Sequence, residues 1–89
     1  MASRTAVVAA AVGLHARPAS LFVQAVTASG LPVKVGRVGQ KMVDARSILM
    51  VMSLGVKCGE EVELTADGGD AEAVLDQLAQ MLETDLDAA

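Results

Sequence analysis

Apolar and polar positions recur with two different periods along this chain, and the switches between them mark out seven elements. Residues 4–9, Arg-Thr-Ala-Val-Val-Ala, have strand character. From Ala16 the period lengthens: Ala19, Phe22, Val23 and Val26 fall at i, i+3, i+4 and i+7, one face of a helix. Gly30 ends that helix in the left-handed conformation, and Pro32 forbids its continuation. Residues 33–38 begin to alternate as a half-buried strand does, and Gly39-Gln40 turns the chain into a shorter strand over 41–45. Ser47 stands before an apolar run, Ile48 to Leu54, that Gly55 closes, which predicts a short helix with a serine cap. Over 60–66, Val62, Leu64 and Ala66 share one face while Glu61, Glu63 and Thr65 share the other, a strand with one wet side. After Asp67-Gly68-Gly69, Asp70 caps a last helix in which Ala71, Val74, Leu75, Leu78 and Leu82 keep the 3.6 period.

The order is therefore β-α-β-β-α-β-α. A wet strand face beside helices with one apolar face each predicts a two-layer α+β sandwich, helices on one side of the sheet and water on the other. Eighty-nine residues make one small domain, 1–89. Phe22 belongs in its core. In the short helix Val51 and Leu54 form the expected buried pair, which leaves some of Ile48, Leu49, Met50 and Met52 exposed as a candidate docking patch. Methionine side chains adapt to several partners.

Composition narrows the function. Phe22 is the one aromatic, the net charge is −4, and the seven Lys and Arg residues are scattered. There is neither a stacking platform nor a basic stripe, so nucleic acid is not the expected partner. Cys58 is the lone cysteine, with no disulfide partner and no metal-type spacing around it. It is expected to be an inert turn residue in a reducing compartment. The apolar run after Arg4 is short and is read as strand rather than leader, so a cytoplasmic protein is expected. The interior run Ser47 to Gly55 is too short to span a bilayer. The acidic end, Glu83, Asp85 and Asp87, reads as a solvated helix terminus.

The candidate chemistry lies in Gly13-Leu14-His15-Ala16-Arg17-Pro18-Ala19-Ser20, which holds the one histidine. With His15 as helix N-cap, the amides of Ala16 and Arg17 lie at the positive end of the helix dipole. Pro18 falls in the first turn, where a missing N–H breaks no helical bond. An anion there meets unpaired donors and the Arg17 fork, an arrangement suited to phosphate. The same positive charge disfavours the imidazolium, and a neutral imidazole is a usable nucleophile. No acidic residue lies within ten positions on either side to orient the ring for hydrolysis. Two readings stand on these residues alone: a histidine with no chemical role, and an acceptor for a phosphoryl group.

Taken with the second motif, Ala45-Arg46-Ser47-Ile48-Leu49-Met50-Val51-Met52-Ser53-Leu54-Gly55, the chain resembles the HPr family of histidine-containing phosphocarriers of the bacterial phosphoenolpyruvate-dependent sugar phosphotransferase system. The two motifs stand about thirty residues apart, as in that family, and the element order agrees over essentially the whole length. The resemblance implies an open-faced sandwich, a four-stranded antiparallel sheet with three helices on one face. It implies that His15 receives a phosphoryl group on Nδ1 from phosphorylated enzyme I and hands it to the A domain of a sugar-specific enzyme II. Arg17 would stabilise the transferring group, with the Ala16 and Arg17 backbone contacting it. Ala16, Ala19, Ser20, Ile48, Leu49 and Met52 would form the docking face. The family is a covalently modified carrier rather than a turnover enzyme, without cofactor or metal and without membrane insertion, and a monomer is expected of it.

In many relatives the serine matching Ser47 is phosphorylated by HPr kinase/phosphorylase, which dampens transfer. Ser47 as a plain helix cap is an equally concrete reading, and both hold for one residue without conflict. Met50 stands where the regulated relatives commonly have glycine, and Arg46 where they commonly have lysine. A nitrogen-regulatory carrier or a regulatory relative that only binds would share this fold. The Met-Ser-Leu-Gly segment favours the sugar-linked branch, and the retained His15 and Arg17 count against a binding-only role.

Overall fold

The computed structural model describes residues 2–10, 13–14 and 16–84. Seven elements follow in the order strand β1 (Ala2–Val7), helix α1 (Ala16–Ser29), strands β2 (Lys34–Arg37) and β3 (Val43–Asp44), helix α2 (Ile48–Ser53), strand β4 (Glu61–Ala66) and helix α3 (Ala71–Leu82). The strands form one sheet in the order β1-β4-β2-β3, antiparallel at every pairing. The β-α-β-β-α-β-α order and the open-faced sandwich are as expected.

Register follows from side-chain alternation. Ala6 pairs with Val62, and Val35 with Leu64, so that buried residues oppose buried residues across the ladder. On the other face Thr5 opposes Glu63 and Ser3 opposes Thr65, and the Ser3 hydroxyl donates to Glu63 Oε2 at 3.1 Å. The buried face meets Ala19, Phe22 and Val26 of α1, Val51 of α2, and Leu75, Leu78 and Leu82 of α3. Fully burying a side chain such as Phe22 contributes about 1.5–3 kcal/mol. Arg4, at half-exposed depth in β1, adds an outer tie to α3 through Asp76 Oδ1 at 2.6 Å.

The element ends differ from the sequence reading for identifiable reasons. Strand β1 is Ala2–Val7 rather than 4–9 because Val8 and Ala9 leave the β4 ladder. Val8 exchanges hydrogen bonds with the Gly59–Glu60 turn, and the Ala9 amide donates to the Leu82 carbonyl at 3.0 Å. Strand β2 stops at Arg37, leaving Val38 exposed in the turn that Gly39, at φ 79°, completes. Strand β3 is only Val43–Asp44, not 41–45. Just ahead of it the chain passes close to β2, where a Cβ on Gly36 would lie 2.8 Å from the Lys41 carbonyl oxygen. Strand β4 begins at Glu61 because Glu60 turns back, its amide donating to the Lys57 carbonyl.

Helix ends show the same mixture. Gly30 closes α1 at φ 73° and Gly55 follows α2 at φ 64°, as expected. Asp70 occupies the N-cap position of α3, but its side chain makes no capping bond. Its backbone, at φ −102° and ψ 15°, is not the extended conformation that aims a cap oxygen at the first-turn amides. The expected partners Val51 and Leu54 separate: Val51 is wholly buried, whereas Leu54, at the C-cap, is only half-buried.

Candidate functional site

Helix α1 starts at Ala16, immediately after His15 in the chain; His15 itself lies outside the described residues. Ala16 and Arg17 are exposed in the first turn, which holds no acidic residue. No carboxylate within that turn therefore offsets the positive helix end. Among the described residues no acid pairs with the Arg17 guanidinium. Pro18 turns inward and is buried, anchoring the first turn on the core. Ser20 is half-buried and its hydroxyl accepts from Gln24 Nε2 at 3.2 Å. Ala19 is completely buried, which removes it from the expected docking face. Its burial follows the helical period it shares with the buried Phe22 and Val26; the docking placement rested on the family resemblance alone.

The backbone ahead of His15 is held firmly. Gly13 adopts φ 72° and donates to the Ala10 carbonyl at 2.8 Å. Leu14 is buried, and its amide donates to the Val56 carbonyl at 3.0 Å. Gly13 is required there. A Cβ would fall 2.3 Å from the Val56 oxygen and 2.8 Å from the Lys57 Cα.

Beneath this contact stands a cluster that sequence reading missed. Arg37, the last residue of β2, donates from Nε to the Leu54 carbonyl at 3.1 Å and from Nη2 to the Gly55 carbonyl at 2.7 Å. Its Nη1 and Nη2 also engage the two carboxylate oxygens of Glu60. Glu60 Oε1 accepts in addition from the Lys57 amide at 2.7 Å. The Arg37 hydrogen bonds, then that from Lys57, hold the Glu60 carboxyl below its ordinary range, and Glu60 in turn raises the Arg37 guanidinium. The two residues are 23 positions apart, so no local pattern pairs them.

Helix α2 packs beside α1. Ser47 is its N-cap, the hydroxyl accepting from the Met50 amide at 3.4 Å. Next to it Arg46 forks onto Asp44, Nε and Nη2 each 3.1 Å from a carboxylate oxygen. The side-chain and backbone hydrogen bonds of Arg46 lower the Asp44 carboxyl from its ordinary range. Ile48, Leu49 and Met50 are exposed, Leu49 at 78%, and Met52 is half-buried. Cys58 is a free, exposed turn residue whose thiol lies 3.7 Å from the Ala9 carbonyl oxygen. Among the described residues no group of three or more His, Cys, Asp and Glu is gathered to hold a metal ion. No helix among them is long and apolar enough to cross a membrane. Glu83 is exposed beyond α3, while Asp85 and Asp87 lie outside the described residues.

Comparison with known proteins gives this geometry a family. The family model "PTS HPr component phosphorylation site" matches residues 2–84. The phosphocarrier protein HPr of Streptomyces coelicolor is 48% identical over 82 residues, spanning 92% of this chain and 88% of that relative. The HPr-like protein Crh of Bacillus subtilis is 42% identical over 74 residues, 83% of this chain and 86% of its own. The crystal structure of an HPr from Bacillus anthracis superposes with a TM-score of 0.84 at 36% identity, covering 91% of this chain and 95% of that one. The match runs from the first strand to just past the last helix, through both motifs, and the chain belongs to the HPr family of phosphotransferase-system phosphocarriers.

Proposed function

We propose that this chain accepts a phosphoryl group on His15 from phosphorylated enzyme I and passes it to the A domain of a sugar-specific enzyme II. The observation that carries the reading is the family match over residues 2–84, which includes His15 directly ahead of a helix whose first turn is free of acid. The lone pair of imidazole Nδ1 forms the new N–P bond while the donor's bond to phosphorus breaks and its electron pair stays with the donor. Transfer onward repeats the exchange with the A domain as acceptor. Arg17 and the first-turn amides of Ala16 and Arg17 offset charge on the phosphoryl oxygens as it moves. Because the group leaves as it arrived, the chain acts as a stoichiometric carrier without cofactor. It works as one domain, residues 1–89, a monomer in the cytoplasm.

Docking is assigned to Ala16, Ser20, Ile48, Leu49 and Met52, with Met50 beside them, on the faces of α1 and α2 that carry exposed apolar groups. Ser47 serves a second purpose in this reading. HPr kinase/phosphorylase adds a phosphate carrying up to two negative charges, which repels an acidic or phosphorylated partner.

The test is intact mass after incubation with phosphoenolpyruvate and enzyme I. A gain of one phosphoryl group (about 80 Da), acid-labile and lost in His15→Ala, supports the carrier. No gain, with enzyme I from the same organism active on another HPr, favours a relative that works by binding alone.

A further inference from the structure

We infer that Arg37 and Glu60 are positioning residues for phosphoryl transfer, bracing the turn against which the chain entering His15 is laid. This rests on the reading of His15 as the phosphoryl acceptor. Leu54 is the C-cap of α2, where a helix leaves carbonyls without intrahelical partners, and Gly55 follows it; the Arg37 fork takes both carbonyls. Its remaining donors hold Glu60, and Glu60 holds the Lys57 amide. One ion pair therefore fixes positions 54, 55 and 57.

Val56, enclosed by those three, is buried, and its carbonyl is the acceptor for the Leu14 amide. The contact leaves no slack. A Cβ on Gly13 would lie 2.3 Å from that same carbonyl oxygen, so backbone meets backbone with no side chain between to absorb a shift. Movement of the turn is passed directly to Leu14, the residue before His15.

Stability is not what this pair mainly supplies. Both side chains are about a third exposed, where ion pairs contribute little to folding. Placement is another matter, since a misplacement of about 1 Å at a reacting group costs on the order of a hundredfold in rate. No acidic residue lies within ten positions of His15 in sequence, and the backbone leading into it is what the braced turn holds, through the Leu14 amide.

The experiment compares the full-length chain with Arg37→Met, which keeps the stem and loses the fork, and with the milder Glu60→Gln. Phosphoryl transfer from enzyme I is followed at varied carrier concentration, and Leu14 amide hydrogen exchange is measured on the same proteins. The brace predicts a kcat lowered about ten- to a hundredfold with KM nearly unchanged, and faster exchange at Leu14 while the β1–β4 amides stay protected. Should Arg37→Met fail to fold, Glu60→Gln decides alone. Folded variants with wild-type kcat and unchanged Leu14 exchange overturn the brace and leave the His15 reading standing. A wild-type chain that takes up no phosphoryl group overturns both.

Discussion

Gly13 and Val56 touch backbone to backbone: a Cβ placed on Gly13 would sit 2.3 Å from the Val56 carbonyl oxygen. The neighbouring hydrogen bond, from the Leu14 amide to that oxygen, spans 3.0 Å. The segment leading to His15 is thus seated on the turn after α2, and it admits only glycine at this point.

Gly13→Ala is expected to cost far more than the same change at Gly30. Both glycines have left-handed backbone, φ 72° and 73°, where alanine loses about 1–2 kcal/mol. A Cβ on Gly30 meets nothing within 4 Å, whereas on Gly13 the clash adds about 1–3 kcal/mol. Thermal unfolding reads the difference, at about 4–8 °C per kcal/mol for a domain of this size. Equal midpoints for the two variants would contradict the contact.

Ser47 offers a separable pair of effects. Ser47→Ala removes the hydroxyl that accepts from the Met50 amide and is expected to cost about 1 kcal/mol. Ser47→Asp keeps a cap acceptor and so retains stability, while its charge slows phosphorylation by enzyme I. Denaturant unfolding and the transfer rate, measured on both variants, check this; an aspartate variant with wild-type transfer would restrict Ser47 to capping.

Acid should weaken the fold in a definite window. The Glu60 carboxyl, held by Arg37 and the Lys57 amide, lies below its ordinary 4.5, and Asp44, held by Arg46, lies below 3.8. A group with a depressed folded pKa stabilises fully above its unfolded value, and that contribution is lost as pH falls through the folded value. The unfolding midpoint is therefore flat near neutrality on account of these groups and declines below about pH 4.5. Glu60→Gln should flatten part of that decline, and a variant curve running parallel to wild type would show that Glu60 has no such role.

Leu49, 78% exposed on α2, contributes little to the core. Leu49→Ala is expected to change stability by no more than about 0.5 kcal/mol while raising the KM of enzyme I for this chain. Phe22→Ala, at a wholly buried site, should instead cost about 3–5 kcal/mol. An unaltered KM in a Leu49→Ala chain would remove α2 from the docking face.

What could be read from sequence was local. The alternation of Val62, Leu64 and Ala66 and the spacing of Leu75, Leu78 and Leu82 each name a buried face within one element, and the structure buries those residues. The serine cap and the closing glycines at 30 and 55 are equally local. What escaped depends on distant partners. Strand β1 ends early because the Ala9 amide finds the carbonyl of Leu82, and Arg37 finds Glu60 across 23 residues. The family resemblance places Ala19 on the docking face, whereas the helical period it shares with Phe22 and Val26 places it inward, and the structure buries all three. The His15 motif could be recognised without any of this, since its chemistry is written in consecutive residues.

Because His15 is the one histidine in the chain, a protein labelled with nitrogen-15 only in histidine reports a single imidazole. The decisive measurement is its ring-nitrogen spectrum before and after phosphoenolpyruvate and a trace of enzyme I. The account predicts a new resonance at Nδ1 with coupling to phosphorus, which disappears when an enzyme II A domain is added. Unchanged ring resonances in a protein that has gained a phosphoryl group would place it elsewhere and contradict the account.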